Sequence, residues 1–199
     1  MRKVDPERRE AKRRQILEAA MGCFARRGFH ATTTAEICAA AGMSPGNLFH
    51  YFPTKDAIVA AIAEEDRRET AALFAAFAEA EDAVEAVQDV AEAALAQFAD
   101  EAYARLSLEI AAEAMRNPAV AAPFAANDAE AKAALVALLG RGVERGQIDP
   151  GLDLDRAAAW LIALLDGAIG RAVMDPSFDA EGHAPTLRLL IARFLRPQG

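Results

Sequence analysis

The sequence predicts an all-α protein. Fifty of its 199 residues are alanine, the strongest helix former. No stretch alternates apolar and polar residues as a half-buried strand would. From Thr32 to Asp56 the run TTTAEICAAAGMSPGNLFHYFPTKD reads as two short helices joined by a tight turn. The expected architecture has about nine helices. A three-helix head over residues 1–56 is joined by a long helix to a helical domain over residues 57–199.

The chain opens with MRKVDPER, a basic arm that either adds phosphate or minor-groove contacts or simply frays in solvent. The first helix is expected over about Arg9–Arg27. Its apolar stripe is Ile16, Leu17, Ala20, Cys23 and Phe24, and Gly28 ends it. In the second, Thr33 and Glu36 have the spacing of a capping box, Ile37, Ala40 and Ala41 mark the apolar face, and Gly42 stops the helix. In the third, Ser44 is the expected cap and Pro45 takes the first helical position. Leu48 and Phe52, four apart, turn back toward Ile37 and Ala41. The expected head core is Ile16, Leu17, Phe24, Phe29, Ile37, Leu48 and Phe52. Cys23 and Cys38 fall on buried faces, so two small packed thiols are expected rather than a disulfide framework.

A short helix, a glycine turn and a second short helix form the helix-turn-helix pattern, whose second helix enters the major groove of DNA. Pro45, Gly46 and Asn47 would then meet base edges. Gly46 allows close approach, Asn47 can donate and accept at adenine, and Phe49 can touch a thymine methyl. Charge agrees with this reading. Net charge is −8, yet residues 1–56 carry ten Lys and Arg against six acids, and the remainder twelve against twenty-four. A basic head on an acidic body directs the head toward phosphate.

FHATTTAEICAAAGMSPGNLFHYFPTKDAI resembles the DNA-binding segment of the TetR family of bacterial transcriptional regulators. The resemblance rests on the Thr32–Thr34 run, the Ala41-Gly42-Met43-Ser44 turn, the helix Gly46–Phe52 and Lys55. It implies DNA contacts at Thr34, Ser44, Pro45, Gly46, Phe49, His50, Tyr51 and Lys55. The family usually has tyrosine where this chain has Phe49, so a hydroxyl contact to phosphate is in doubt there. The resemblance further implies a homodimer on double-stranded operator DNA that responds to a small-molecule effector, most often a repressor. Outside the head it is looser. RLSLEIAAEAMRNP, RGQIDPGLDLDRAAAW and LLDGAIGRAVMDP are similar to one broad subgroup.

Beyond the head, the fourth helix should run from Thr54 to about Ala80 as one rigid connection. The fifth is expected over Ala83–Asp100 and the sixth over Ala102–Arg116. The seventh should cover Ala119–Arg145, interrupted near Pro123, and the eighth Leu154–Met174. A loop should cover Asp175–Pro185 and the ninth helix Thr186–Arg196. The last two helices carry surplus apolar residues, so Leu161, Leu165, Ile169, Leu187, Leu190, Ile191 and Phe194 are the expected dimer contacts.

Phe74, Phe77, Phe98, Tyr103, Leu106, Ser107, Ile110, Phe124, Trp160 and Leu164, with Asp166 as the polar group, are candidate pocket residues between the helices of the second domain. Each has plain core packing as its alternative role. No catalytic constellation, phosphate-binding glycine loop or metal-ligand set stands out, so neither an enzyme nor a cofactor is expected. Glu109 and Glu113 read as an acid pair or as a solvated or salt-bridged face; no nearby His or Cys completes a metal set. No apolar run of about 18 residues and no secretory signal is apparent, so no membrane partner and a cytoplasmic location are expected. The rival class is a helical small-molecule-binding protein or enzyme whose head no longer binds DNA.

Overall fold

The structure is a computed structural model that describes residues 6–175 and 177–196. The first five residues of the basic arm lie outside the described residues. Among the described residues there are nine helices: α1 (Pro6–Ala31), α2 (Thr34–Ala40), α3 (Pro45–Tyr51), α4 (Lys55–Ala76), α5 (Ala83–Gln97), α6 (Glu101–Ala114), α7 (Pro118–Glu144), α8 (Leu154–Met174) and α9 (Ala180–Leu195). The chain is all-α, as expected. Polar caps set most of the helix starts. Backbone N–H groups at the heads of α2 and α4–α9 donate to Thr33, Thr54, Asp82, Asp100, Asn117, Asp153 and Asp179.

The chain divides into two compact units. One unit holds the described residues through Glu65 together with Arg105–Phe124. The other holds Asp66–Ala104 and the described residues from Ala125 onward. The first unit therefore includes residues 57–65 and a later segment, because its core needs them. All seven expected core residues are buried there, joined by Cys23, Cys38, Ile58, Val59 and Ile62 and also by Leu106 and Val120. Leu106 lies on α6, and Ile110 and Phe124 pack against the same core. Both cysteines are free and buried.

The second unit is built around α5, which packs on α8 and most extensively on α9. Its core includes Val84, Val87, Leu95, Leu139, Ile148, Ala158, Leu161, Ile191 and Leu195. Arg188 of α9 bridges to Asp89 at 2.6 Å and Glu92 at 2.9 Å on α5.

Two expected breaks do not occur. α7 runs unbroken through Pro123, and α9 begins at Ala180, so Pro185 is helical and the loop is short. Each proline is the sixth residue of its helix. Its clash partner four residues back is then the second helical residue, where the chain end can tilt. Asp179 accepts from Gly182 N–H at 2.6 Å, which anchors the early start of α9.

The expectation of no membrane-length apolar run is also corrected. α8, Leu154–Met174, is long and apolar enough to cross a membrane by length and composition, with mean hydropathy 1.5 over its best window. A count of uninterrupted apolar residues misses it, because Asp166 and Arg171 interrupt a run otherwise dominated by Ala, Leu and Ile. Only 17% of that window is buried within the protein, so α8 keeps a largely uncovered apolar face.

Candidate nucleic-acid interface and the cavity of the second unit

The threonine run divides its work. Thr32 is buried and its hydroxyl donates to the carbonyls of Gly28 at 2.8 Å and Cys23 at 3.2 Å. That ties down the turn created where Gly28, at φ 76°, breaks the helical path of α1. Thr33 and Glu36 form the full capping box of α2. Its hydrogen bonds from the Thr33 backbone and side chain, aided by the Arg27 charge, hold the Glu36 carboxyl below its usual range despite the opposing desolvation. Arg27 pairs with Glu36, fixing the end of α1 to the start of α2. Thr34, half-buried, is the first residue of α2.

Gly42 sits at φ 62°, the left-handed conformation that the turn requires. Gln15 of α1 donates to the carbonyl of Ala41 at 2.8 Å and holds the turn from behind. Ser44 occupies the cap position of α3, but its side chain makes no capping hydrogen bond, contrary to expectation. Its carbonyl accepts from Asn47 and Leu48 instead, at 3.0 and 3.1 Å.

α3 is anchored by Leu48, which is fully buried, and by Phe52 just beyond its end. The rest of the helix faces outward. Ser44, Pro45, Gly46, Asn47, Phe49 and His50 are exposed, and Tyr51 is half-buried with its ring edge-on to His50. Phe49 is 45% exposed, a large apolar side chain left uncovered by its own unit. A Cβ added at Gly46 would meet nothing within 4 Å, so the fold of the unit does not demand glycine there.

Lys55 stands apart from the outward-facing set. Its ammonium donates to the carbonyls of Phe29 at 2.5 Å and Thr32 at 3.1 Å, and lies 4.1 Å from the Phe29 ring centroid. It closes the turn after α1 and is committed to internal partners.

His30, remote in sequence from the other histidines, meets α6. Its Nε2 lies 2.9 Å from Glu113, which also accepts from Arg116 at 2.9 Å and Asn117 at 3.1 Å. Glu113 is 1% exposed, so the acid pair read from sequence includes a buried, salt-bridged member. Burial alone would raise its carboxyl pKa. The Asn117 and Arg116 hydrogen bonds, with the charges of His30 and Arg116, outweigh that and hold it below the ordinary range. Among the described residues no group of three or more His, Cys, Asp or Glu could hold a metal ion.

The second unit contains a cavity of about 190 Å³. Phe74, Phe98 and Tyr103 line it, together with Leu161 and Leu165 from the expected dimer set. Phe77 packs against the core instead. Leu106, Ile110 and Phe124 belong to the first unit, as does Ser107. Sequence reading missed the polar lining residues Asp66, Thr70 and Gln97, because nothing in the linear pattern of α4 and α5 distinguishes them from surface positions. Asp66 accepts from Asn127 Nδ2 at 3.1 Å. Asp166 is exposed and does not line the cavity.

A second, wider concavity of about 700 Å³ lies along α8 and α9, lined by Trp160, Leu164, Gly167, Phe178, Leu190 and Phe194 among others. Trp160 is 72% exposed, Leu190 49% and Phe194 40%. Leu161, Leu187 and Ile191 are buried in the second unit's own core, and Ile169 packs against it. Trp160 and Leu164 thus lie on this outer face rather than around the inner cavity.

A capped helix, a glycine turn and a second helix held by one buried leucine with its outer face bare define a helix-turn-helix regulator of transcription. The chain belongs to the TetR family of bacterial regulatory proteins. The family's sequence model matches residues 16–62, and that of the BetI-type transcriptional repressor C-terminal domain matches residues 83–196. The chain is 44% identical over 73 residues to the HTH-type transcriptional repressor Rv1474c of Mycobacterium tuberculosis, covering 37% of this chain and 39% of that one. It is 35% identical over 112 residues to the HTH-type transcriptional regulator UidR of Escherichia coli K12, covering 55% of each. The matches thus span between about two fifths and just over half the length of these relatives. Among solved structures, Salmonella enterica GusR is 33% identical with a TM-score of 0.80, covering 98% of this chain and 99% of that one.

Proposed function

We propose that the protein is a ligand-responsive transcriptional repressor, a homodimer that reads operator DNA through α3 and releases it when a small molecule occupies the second unit. The observation that carries the reading is the outer face of α3. Gly46 and Phe49 are a glycine without an internal steric reason and a phenylalanine without an internal cover. Both fit a surface made to approach another molecule closely. Pro45, Gly46, Asn47, Phe49 and His50 are the groups offered to base edges, with Thr34, Ser44 and Tyr51 at the flanks. Lys55 serves by fixing the turn between α1 and α2.

A second copy is the partner that fits the apolar face of α8 and α9, where Trp160, Leu164, Leu190 and Phe194 lie bare. Two-fold pairing there carries two heads, so the operator should be near-palindromic. Effector response is supported by the cavity of the second unit and by membership of the family.

The test is a gel shift with the DNA upstream of the protein's own gene, followed by footprinting. The expected result is a protected near-palindrome. Asn47→Ala should weaken operator binding by about 1–3 kcal/mol, the worth of a bidentate base contact. Absence of specific binding would favour a helical small-molecule-binding protein that has lost DNA recognition.

A further inference from the structure

The outer side of α3 is apolar at its centre. Gly46, Phe49 and His50 stand at i, i+3 and i+4, so they share one side of the helix. Leu48, fully buried, roots the inner side. Phe49 is 45% exposed and has no hydroxyl or amide to offer a partner. One turn before it, a Cβ built on Gly46 would meet nothing within 4 Å. A single exposed phenylalanine is ordinary on a protein surface. This one borders a notch in which a methyl group has room, on a head whose residues 1–56 carry ten Lys and Arg against six acids.

We propose that Phe49 and Gly46 together read the C5 methyl group of one thymine in each half of the operator, the ring covering the methyl and the bare Gly46 backbone leaving room for it. The inference rests on the reading of α3 as the DNA-recognition helix and names the chemical group recognised there. In the major groove the bases present N7, O6 and O4 acceptors and N4 and N6 donors, and the thymine methyl is the apolar group among them. A phenyl ring over a purine edge, or over the cytosine amino group, would strip water from polar atoms and return no hydrogen bond. A phosphate oxygen gains nothing from the ring for the same reason. Over a thymine methyl, ring and methyl leave water together, which is worth about fourfold in affinity for one buried carbon. Any side chain at position 46 would occupy the notch that the methyl needs. 5-Methylcytosine carries its methyl at the same C5 position. Methylation of a cytosine placed there would supply the same contact, so operator affinity would respond to cytosine methylation.

The test uses the full chain and the duplexes that it selects from a random-sequence pool by gel shift. In each selected duplex every thymine is replaced singly by deoxyuridine, which keeps the base pair and removes only the C5 methyl. At one thymine per half-site the affinity should fall about fourfold. That loss should vanish in Phe49→Ala, whose exposed position leaves the melting temperature unchanged. Cytosine at that position should bind more weakly than thymine, and 5-methylcytosine about fourfold more tightly than cytosine. If Phe49→Ala binds too weakly to titrate, lower salt brings it into range, because phosphate contacts strengthen there. A flat deoxyuridine scan with the wild type would overturn the methyl reading. So would a loss that persists in Phe49→Ala, or 5-methylcytosine that binds no better than cytosine. Failure to select any duplex would end the DNA-reading role of α3 and this proposal with it. Specific duplexes with a flat scan would leave that role standing and end this proposal alone.

Discussion

Gly46 lies in α3 and Lys55 follows it, yet they act through different physics. Gly46 is the second residue of α3 with open space around it, and alanine is the better helix former. Gly46→Ala should therefore leave stability equal or raise it, while weakening operator binding by about tenfold or more. Urea denaturation and gel shifts on the same sample check this. A variant that is stable and binds the operator like wild type would show that the DNA does not approach that position closely. Lys55 donates to the carbonyls of Phe29 and Thr32. Lys55→Met keeps the stem against Phe29 but removes both hydrogen bonds, so the midpoint of unfolding should fall by the equivalent of about 1–3 kcal/mol. The family resemblance implies a DNA contact at Lys55. Only the fold brings two backbone carbonyls from residues 23 and 26 positions earlier to its ammonium.

At the scale of elements, the sequence was most legible where the signal is local. The capping box at Thr33 and Glu36, the glycine break at Gly28 and the whole of α8 need only neighbouring residues. Proline was over-read. Pro123 and Pro185 suggested an interruption and a loop, but near a helix start the lost hydrogen bond and clash are absorbed by the end. What periodicity does not reveal is that α6 serves two units. Tyr103 lines the second-unit cavity, while Leu106 and Glu113 complete the first. Glu113 joins the end of α6 to His30 at the end of α1, and this link titrates. Its folded pKa lies below the ordinary glutamate value of 4.5. The contribution is thus present above that value and lost as pH falls through the depressed folded pKa. Glu113→Gln should be less stable than wild type by about 2 kcal/mol at pH 7. The gap should close as pH falls well below 4.5, which denaturation midpoints across pH will measure. A gap that is constant with pH would mean that the carboxylate charge is not what Glu113 supplies.

At the scale of the whole molecule, the proposed dimer rests on the exposed faces of α8 and α9. Leu190→Glu with Phe194→Glu alters side chains that are 49% and 40% exposed, so the protomer should stay folded. The predicted outcome is a monomer by light scattering that has lost operator binding. Glutamate at Leu187 or Ile191, by contrast, would strike the protomer's own core and unfold it. A wild type that is already monomeric at micromolar concentration would end the dimer proposal.

The interrupted first unit has a consequence for biosynthesis. Its core is filled in part by Leu106 and Val120, which emerge from the ribosome well after Ile62. At about 5–20 residues per second, the intervening stretch delays closure of the head by roughly 3–12 s. During that interval Ile16, Leu48 and Ile58 have only part of their cover. The nascent chain is then a candidate client for chaperones that recognise exposed apolar segments. A head cut after Glu65 would remain in that condition permanently.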